Sequence, residues 1–203
     1  PELASRWAGD LAEREACDAL LAHAKGAVGR VTHFVHSASP PRREADHALA
    51  VSEETWRRMH AVNLDAGFHL ARGIARDLIA ARTPGSFLYL TSLHAGTPRN
   101  LPHYSTAKAG MAMLVRELAK TLGRYDIRVN ALVPGAIAAG GFVADPSLAR
   151  HIPLGRIGIA ADLAPMALAV LSNKVSAYVT GAAFTVDGGL SLTNWFDPPE
   201  LHI

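Results

Sequence analysis

Short apolar runs alternate with longer, helically spaced ones along this chain, and that alternation limits the folds open to it more than any other feature. VTHFVHSAS (31–39) is β-branched and aromatic and ends in small polar residues, as a buried strand does on leaving a sheet. From Trp56 to Ala81, Leu64, Phe68, Ala71, Ile74, Ala75, Leu78 and Ile79 recur at helical spacing, which predicts one long helix. Pro84-Gly85 then turns the chain into a second strand, GSFLYLTS (85–92). A helix over 104–122 follows, with Met111, Leu114, Val115, Leu118 and Leu122 on one face and Gly123 as its C-cap. It leads into the strand IRVNALVPG (127–135), a helix around Asp162 to Leu171 and the strand AAFTVDGG (182–189). Strands that alternate with helices imply right-handed crossovers and a parallel sheet covered on both faces, here as a single α/β domain.

Charge and cysteine usage narrow the function classes. The formal net charge is +2, and Lys and Arg are scattered, so no nucleic-acid partner is expected. No apolar stretch is long enough to span a bilayer, and the first residues lack the basic-then-apolar order of a signal peptide. A lone cysteine, Cys17, fits a reducing, cytoplasmic setting, and no Cys or His spacing suggests a metal.

In doubly wound sheets the ligand lies beyond the carboxyl ends of the strands. Those ends are HSAS (36–39), TSLHAG (91–96) and VPGAI (133–137), all small, polar or Gly/Pro-rich. Tyr104 and Lys108 lie one turn apart on the following helix. An ammonium beside a phenol favours phenolate, so the pair is a proton-transfer device; taken alone, it is also ordinary helix surface. Ser92, at the end of the preceding strand, can bring a hydroxyl beside the phenol. Asn63 sits mid-helix, where an amide is a mediocre helix former with no evident capping role.

Asn63, Ser92, Tyr104 and Lys108, in that order and on those elements, resemble the catalytic tetrad of the short-chain dehydrogenase/reductase family. The resemblance extends from about Leu3 to Gly189. DLAEREACDALLAHAKGAVGRVTHFVHSAS looks like the family's third-strand Asp, following helix and fourth strand. IRVNALVPGAI looks like the segment that meets the nicotinamide, and the stretch from IPLGRIG to FTVDGG like the C-terminal signature. The implied fold is a Rossmann-like doubly wound parallel sheet, and the implied activity is hydride transfer between NAD or NADP and a small alcohol or carbonyl substrate. By resemblance, Tyr104 exchanges the hydroxyl proton, and Lys108 favours the phenolate and bonds the nicotinamide ribose. Ser92 holds the substrate oxygen and Asn63 anchors a relay water. The cofactor would also meet Asp10 and Leu11 at the adenine, Ser37, Ala38 and Ser39 at the ribose loop, and Pro134, Gly135 and Ile137 at the carboxamide. Leu93, His94, Ala136 and the segment 138–150 would line a pocket for a small polyol, sugar-like or keto compound. The family also implies a homo-oligomer, tetramer or dimer.

Several positions depart from the family pattern. Its Asn-Asn-Ala-Gly reads His36-Ser37-Ala38-Ser39 here, and Ala139 stands where a Thr hydroxyl usually meets the carboxamide. No glycine-rich phosphate loop occurs, nor the residue that would choose NAD or NADP. In the family's strand order, 3-2-1-4-5-6-7, this chain supplies strand 3, near Leu3 to Ala8, and strands 4 to 7. The expectation is therefore that about 50 residues carrying the first two strands precede Pro1, and that without them 31–36 is an exposed edge strand. The altered residues at 36–39 also motivate a second reading, a cofactor-poor relative used for binding or scaffolding.

Overall fold

The computed structural model of the protein describes residues 4–139 and 145–192. Its main sheet contains β1 (His33–His36), β2 (Gly85–Leu90), β3 (Ile127–Pro134) and, last in the chain, β6 (Ala183–Val186). The strands are all parallel, in the spatial order β1-β2-β3-β6, with Phe87 opposite Val129 and Leu132 opposite Phe184. A second, two-stranded parallel sheet joins β4 (Ile137–Ala138) to β5 (Gly158–Ile159), a pairing too short to leave a periodic signal in the sequence.

Successive strand residues point to opposite faces, and both faces of β2 and β3 are covered, which is why these strands read as nearly continuous apolar runs. On one face Phe87, Tyr89, Val129 and Ala131 pack against α3 (Ala66–Ala80) and α4 (Pro102–Leu122) through Ile74, Leu78, Met111, Val115 and Leu122. On the other, Leu88 and Leu132 meet Val170, Leu163 and Ala167 of α5 (Ala160–Leu171). The helix α1 (Arg14–Val28) buries Cys17 against Ala66 and Leu70. Among the described residues β1 pairs with β2 alone, and Val35 is 46% exposed.

The predicted long helix departs from expectation in two ways. It starts at Glu53, ahead of Trp56, because the Ser52 hydroxyl accepts the Thr55 N–H at 3.1 Å and satisfies a donor of the first turn. It is also interrupted: α2 (Glu53–His60) passes through one π-helical turn, Ala61–Asp65, before α3. Gly123 does follow α4, but with a right-handed φ of −56°; the chain continues through a 3₁₀ turn and the left-handed residue is Asp126, at φ 58°. The last strand ends at Val186, ahead of the positive φ values of Gly188 and Gly189. Leu3 lies outside the described residues, and Ala4 to Asp10 form no strand.

Candidate functional site

The carboxyl ends of β1, β2 and β3 lie at the same end of the parallel sheet, and α4 begins beside them. Lys108 is 3% exposed and its Nζ donates to Leu90 O at 2.8 Å, tying the second turn of α4 to the last residue of β2. One turn earlier Tyr104, 6% exposed, packs with Met59, Leu101 and Ala107, and its ring centroid lies 5.7 Å from Lys108 Nζ. Ser92 has an extended backbone, and its Oγ accepts the His94 N–H at 3.1 Å, which leaves the hydroxyl proton to be donated elsewhere. The His94 ring stands edge-on to Tyr104, with centroids 6.3 Å apart. Asn63 Nδ2 donates to Met59 O at 3.0 Å, so Asn63 reaches the Tyr104 cluster through Met59. Its Oδ1 is buried and has no partner among the described residues. Burial, followed by the Arg42 charge, lowers the Lys108 ammonium to about 7.

The π turn gives a reason for the unusual His36. A π turn bonds residues five apart, as Ala66 N–H does to Ala61 O, and so disturbs the carbonyl ladder around it. His36, at the end of β1, supplies the missing donor: its Nε2 lies 3.1 Å from Val62 O and 3.0 Å from Asn63 O. Gly67 leaves room for this ring, since a Cβ there would sit 2.9 Å from His36 Cδ2.

Burial pushes the His36 imidazole down to about 4; the Lys108 charge adds to this, and the two carbonyl bonds oppose it. Between pH 6.5 and 4 the unfolded imidazole binds a proton that the folded one refuses, so stability falls as pH drops through that window, by about 3 kcal/mol in all. Replacing His36 with Asn, a neutral amide, should flatten this dependence. The check is the unfolding free energy of both proteins at pH 7 and 4.5, and an equal loss in the two would contradict the assignment.

The residues expected at the cofactor divide in their placement. Asp10 is gripped by Arg58 on α2, with Nη1 and Nη2 at 2.8 and 3.1 Å, and also accepts Ala12 N–H; the Arg58 hydrogen bond holds its carboxyl below the usual range. Leu11 packs with the Cys17 and Leu70 cluster. Ser37 is exposed, Ala38 is half-buried, and Ser39 Oγ bonds Pro40 O at 3.4 Å. Pro134 ends β3 opposite Val186, and Gly135 N–H donates to Val186 O. A Cβ on Gly135 would lie 2.6 Å from that of Asp187, so only glycine permits this approach. Ala136 O accepts Gly158 N–H, and Ile137 pairs with Gly158 in the small sheet. Residues 140–144 of the predicted pocket segment lie outside the described residues. His103 is fully buried, and its ring nitrogens have no partner among the described residues.

Arg42 escaped sequence reasoning because the loop after Pro40-Pro41 carries no periodicity. Its Cζ lies over the Tyr104 ring, 4.7 Å from the centroid. Arg99 Nη2 bonds Glu44 Oε1 at 2.6 Å in the same region. The His94 imidazole is lowered by burial, then by the charges of Arg99 and Arg42, while its Nδ1 donates to Thr97 O.

Comparison with known proteins agrees with this architecture. Residues 2–191 match a family model described as enoyl-(acyl carrier protein) reductase. The chain is 33% identical over 188 residues to the rat (3R)-3-hydroxyacyl-CoA dehydrogenase, covering 89% of this chain and 71% of that protein. It is 34% identical over 201 residues to a galactitol 2-dehydrogenase (L-tagatose-forming) of Cereibacter sphaeroides, covering 94% and 77% respectively. Among solved structures, a gluconate 5-dehydrogenase from Burkholderia cenocepacia, in complex with NADP and tartrate, superposes with a TM-score of 0.83 at 28% identity. That match covers 92% of this chain and 74% of the other. With a family match across nearly its whole length on a parallel α/β sheet, the chain belongs to the short-chain dehydrogenase/reductase family of oxidoreductases.

Proposed function

We propose that the protein is an NAD(P)-dependent oxidoreductase that moves a hydride between a nicotinamide cofactor and a small alcohol or carbonyl compound, with Tyr104 as general acid and base. The observation that carries this reading is the convergence of Tyr104, Lys108 and Ser92 at the carboxyl end of the sheet. The donor set suits such a cofactor: an ammonium has three N–H donors, and Leu90 O takes one, which leaves others for ribose hydroxyls. Tyr104 would share that ribose contact, Pro134, Gly135 and Ile137 would hold the carboxamide, and Ser37 to Ser39, Asp10 and Leu11 would border the remainder. When bound, the nicotinamide supplies the two-electron donor or acceptor.

The side chains divide the remaining work. Ser92 donates its hydroxyl proton to the substrate oxygen and fixes it beside the phenol. Tyr104 gives a proton to that oxygen in reduction and takes one in oxidation. Lys108 favours the phenolate that this exchange creates. Asn63 Oδ1 is the buried acceptor that a relay water needs. The dehydrogenases compared above are named for an acyl-CoA, a polyol and a sugar acid; the mixed polar lining from Ser92 and His94 supports a small polar substrate over a long acyl chain.

Titrating the purified protein with NADH and with NADPH tests the reading. Saturable enhancement of nicotinamide fluorescence with at least one of them is expected. Flat traces with both would overturn it and leave the binding or scaffolding alternative.

A further inference from the structure

We infer that the substrate carries a second hydroxyl beside the reacting carbon, as a vicinal diol or an α-hydroxy ketone, and that His94 recognises it through Nε2; this rests on the oxidoreductase reading above. The His94 N–H donates to Ser92 Oγ at 3.1 Å, so its imidazole is anchored two residues from the hydroxyl that would hold the substrate oxygen. The ring stands edge-on to Tyr104, with centroids 6.3 Å apart. It therefore flanks the place where Ser92 and Tyr104 would meet that oxygen.

The hydrogen bonds fix what this ring offers. Nδ1 lies 3.1 Å from Thr97 O, and a carbonyl oxygen only accepts, so Nδ1 carries the proton. Burial, followed by nearby charge, lowers the imidazole below its ordinary range, so the ring is neutral at neutral pH. In a neutral imidazole the second nitrogen has a lone pair and no proton. Nε2 is thus an acceptor, turned away from Thr97 across the ring, and it takes no hydrogen bond among the described residues. A half-buried acceptor that a ligand cuts off from water is costly unless the ligand supplies a donor.

Donors and acceptors are therefore sorted by position. At the reacting oxygen the site offers two O–H donors, Ser92 and Tyr104, and beside them an acceptor, His94 Nε2. A carbonyl matches the donors, and a hydroxyl on the next carbon matches the acceptor. A carboxylate in that second position would set its lone pairs against the one on Nε2, and a methyl group would leave Nε2 unpaired. In oxidation of the diol, the reacting carbon gives its hydride to the nicotinamide and its hydroxyl proton to Tyr104. The second hydroxyl keeps its proton throughout and only donates a hydrogen bond.

The test compares matched pairs with NAD and NADP: 2,3-butanediol against 2-butanol in oxidation, and 3-hydroxybutanone against butanone and 2-oxobutanoate in reduction. The hydroxylated member of each set should have the higher kcat/KM. In His94→Phe, which keeps a ring beside Tyr104 and deletes both nitrogens, the ratio of hydroxylated to plain substrate should fall about 3- to 10-fold, the scale of one neutral hydrogen bond. The change should lie mainly in KM, because the second hydroxyl does not react. His94→Gln should recover part of the ratio, since its amide oxygen still accepts. A merely structural role for His94 would lower both members alike and leave the ratio unmoved, and that result in folded His94→Phe, as judged by its unfolding midpoint, overturns the proposal. A wild-type preference for 2-butanol, butanone or 2-oxobutanoate overturns it too. Cofactor binding without turnover of the diol or the hydroxy ketone overturns it while the oxidoreductase reading stands, whereas failure to bind either NADH or NADPH removes both.

Discussion

Tyr104→Phe is expected to lower turnover by about two to four orders of magnitude, the range attributed to a positioned general acid or base. Phenylalanine keeps the ring that packs against Met59, Leu101 and Ala107 and deletes only the oxygen that exchanges the proton. The same substitution should change the unfolding free energy by no more than about 1 kcal/mol. Lys108→Met provides a second arm. It removes a buried ammonium that the fold tolerates at a cost, so turnover and cofactor affinity should fall without loss of the folded state. Steady-state kinetics beside denaturant curves separate the two effects. Wild-type turnover in a folded Tyr104→Phe protein would remove Tyr104 from the proposed mechanism.

Periodicity and composition report on elements that bury one face, and here they located α3, α4, α5, most of α2, and β1, β2, β3 and β6, whereas α1 was expected only from the family resemblance. Helix spacing could not report the π turn at 61–65, because a single inserted residue shifts the hydrogen bonds without breaking the apolar stripe that Leu64, Phe68 and Ala71 continue. The order of Asn63, Ser92, Tyr104 and Lys108 was legible as a motif. Their meeting depends on Lys108 reaching back to Leu90 O and on Met59 lying between Asn63 and Tyr104, which are tertiary facts. His36 read as a departure from the family; its partners are backbone carbonyls 26 and 27 residues away. Arg42 had no signal at all, since a loop places it. Arg128 did carry one: a charged residue inside an otherwise apolar strand that is covered on both faces demands buried partners.

Those partners make Arg128→Met the substitution expected to destabilise the fold most. Arg128 is 8% exposed on β3. Its Nη1 donates to Val170 O at 2.9 Å and Val179 O at 3.2 Å, and its Nη2 to Leu171 O and Ser86 Oγ, both at 3.0 Å. Nε and Nη2 share Asn173 Oδ1 at 3.1 and 2.9 Å. Val170 and Leu171 are the last residues of α5, whose carbonyls have no partner within the helix, so the guanidinium satisfies them and sets a positive charge at the negative end of the helix dipole. Ser86 lies opposite Arg128 on β2, and Val179 leads toward β6. One side chain thus ties β2, β3, α5 and the approach to the last strand. Burial disfavours its charge, yet a guanidinium remains protonated. Methionine would fill much of the volume and bond none of these acceptors, which predicts a loss of about 3–5 kcal/mol. Arg128→Lys should recover only part, because an ammonium cannot span acceptors from three segments. Denaturant midpoints at constant m-value measure both losses; a change below about 1 kcal/mol in Arg128→Met would mean that water or relaxed backbone satisfies those carbonyls as well as the guanidinium does.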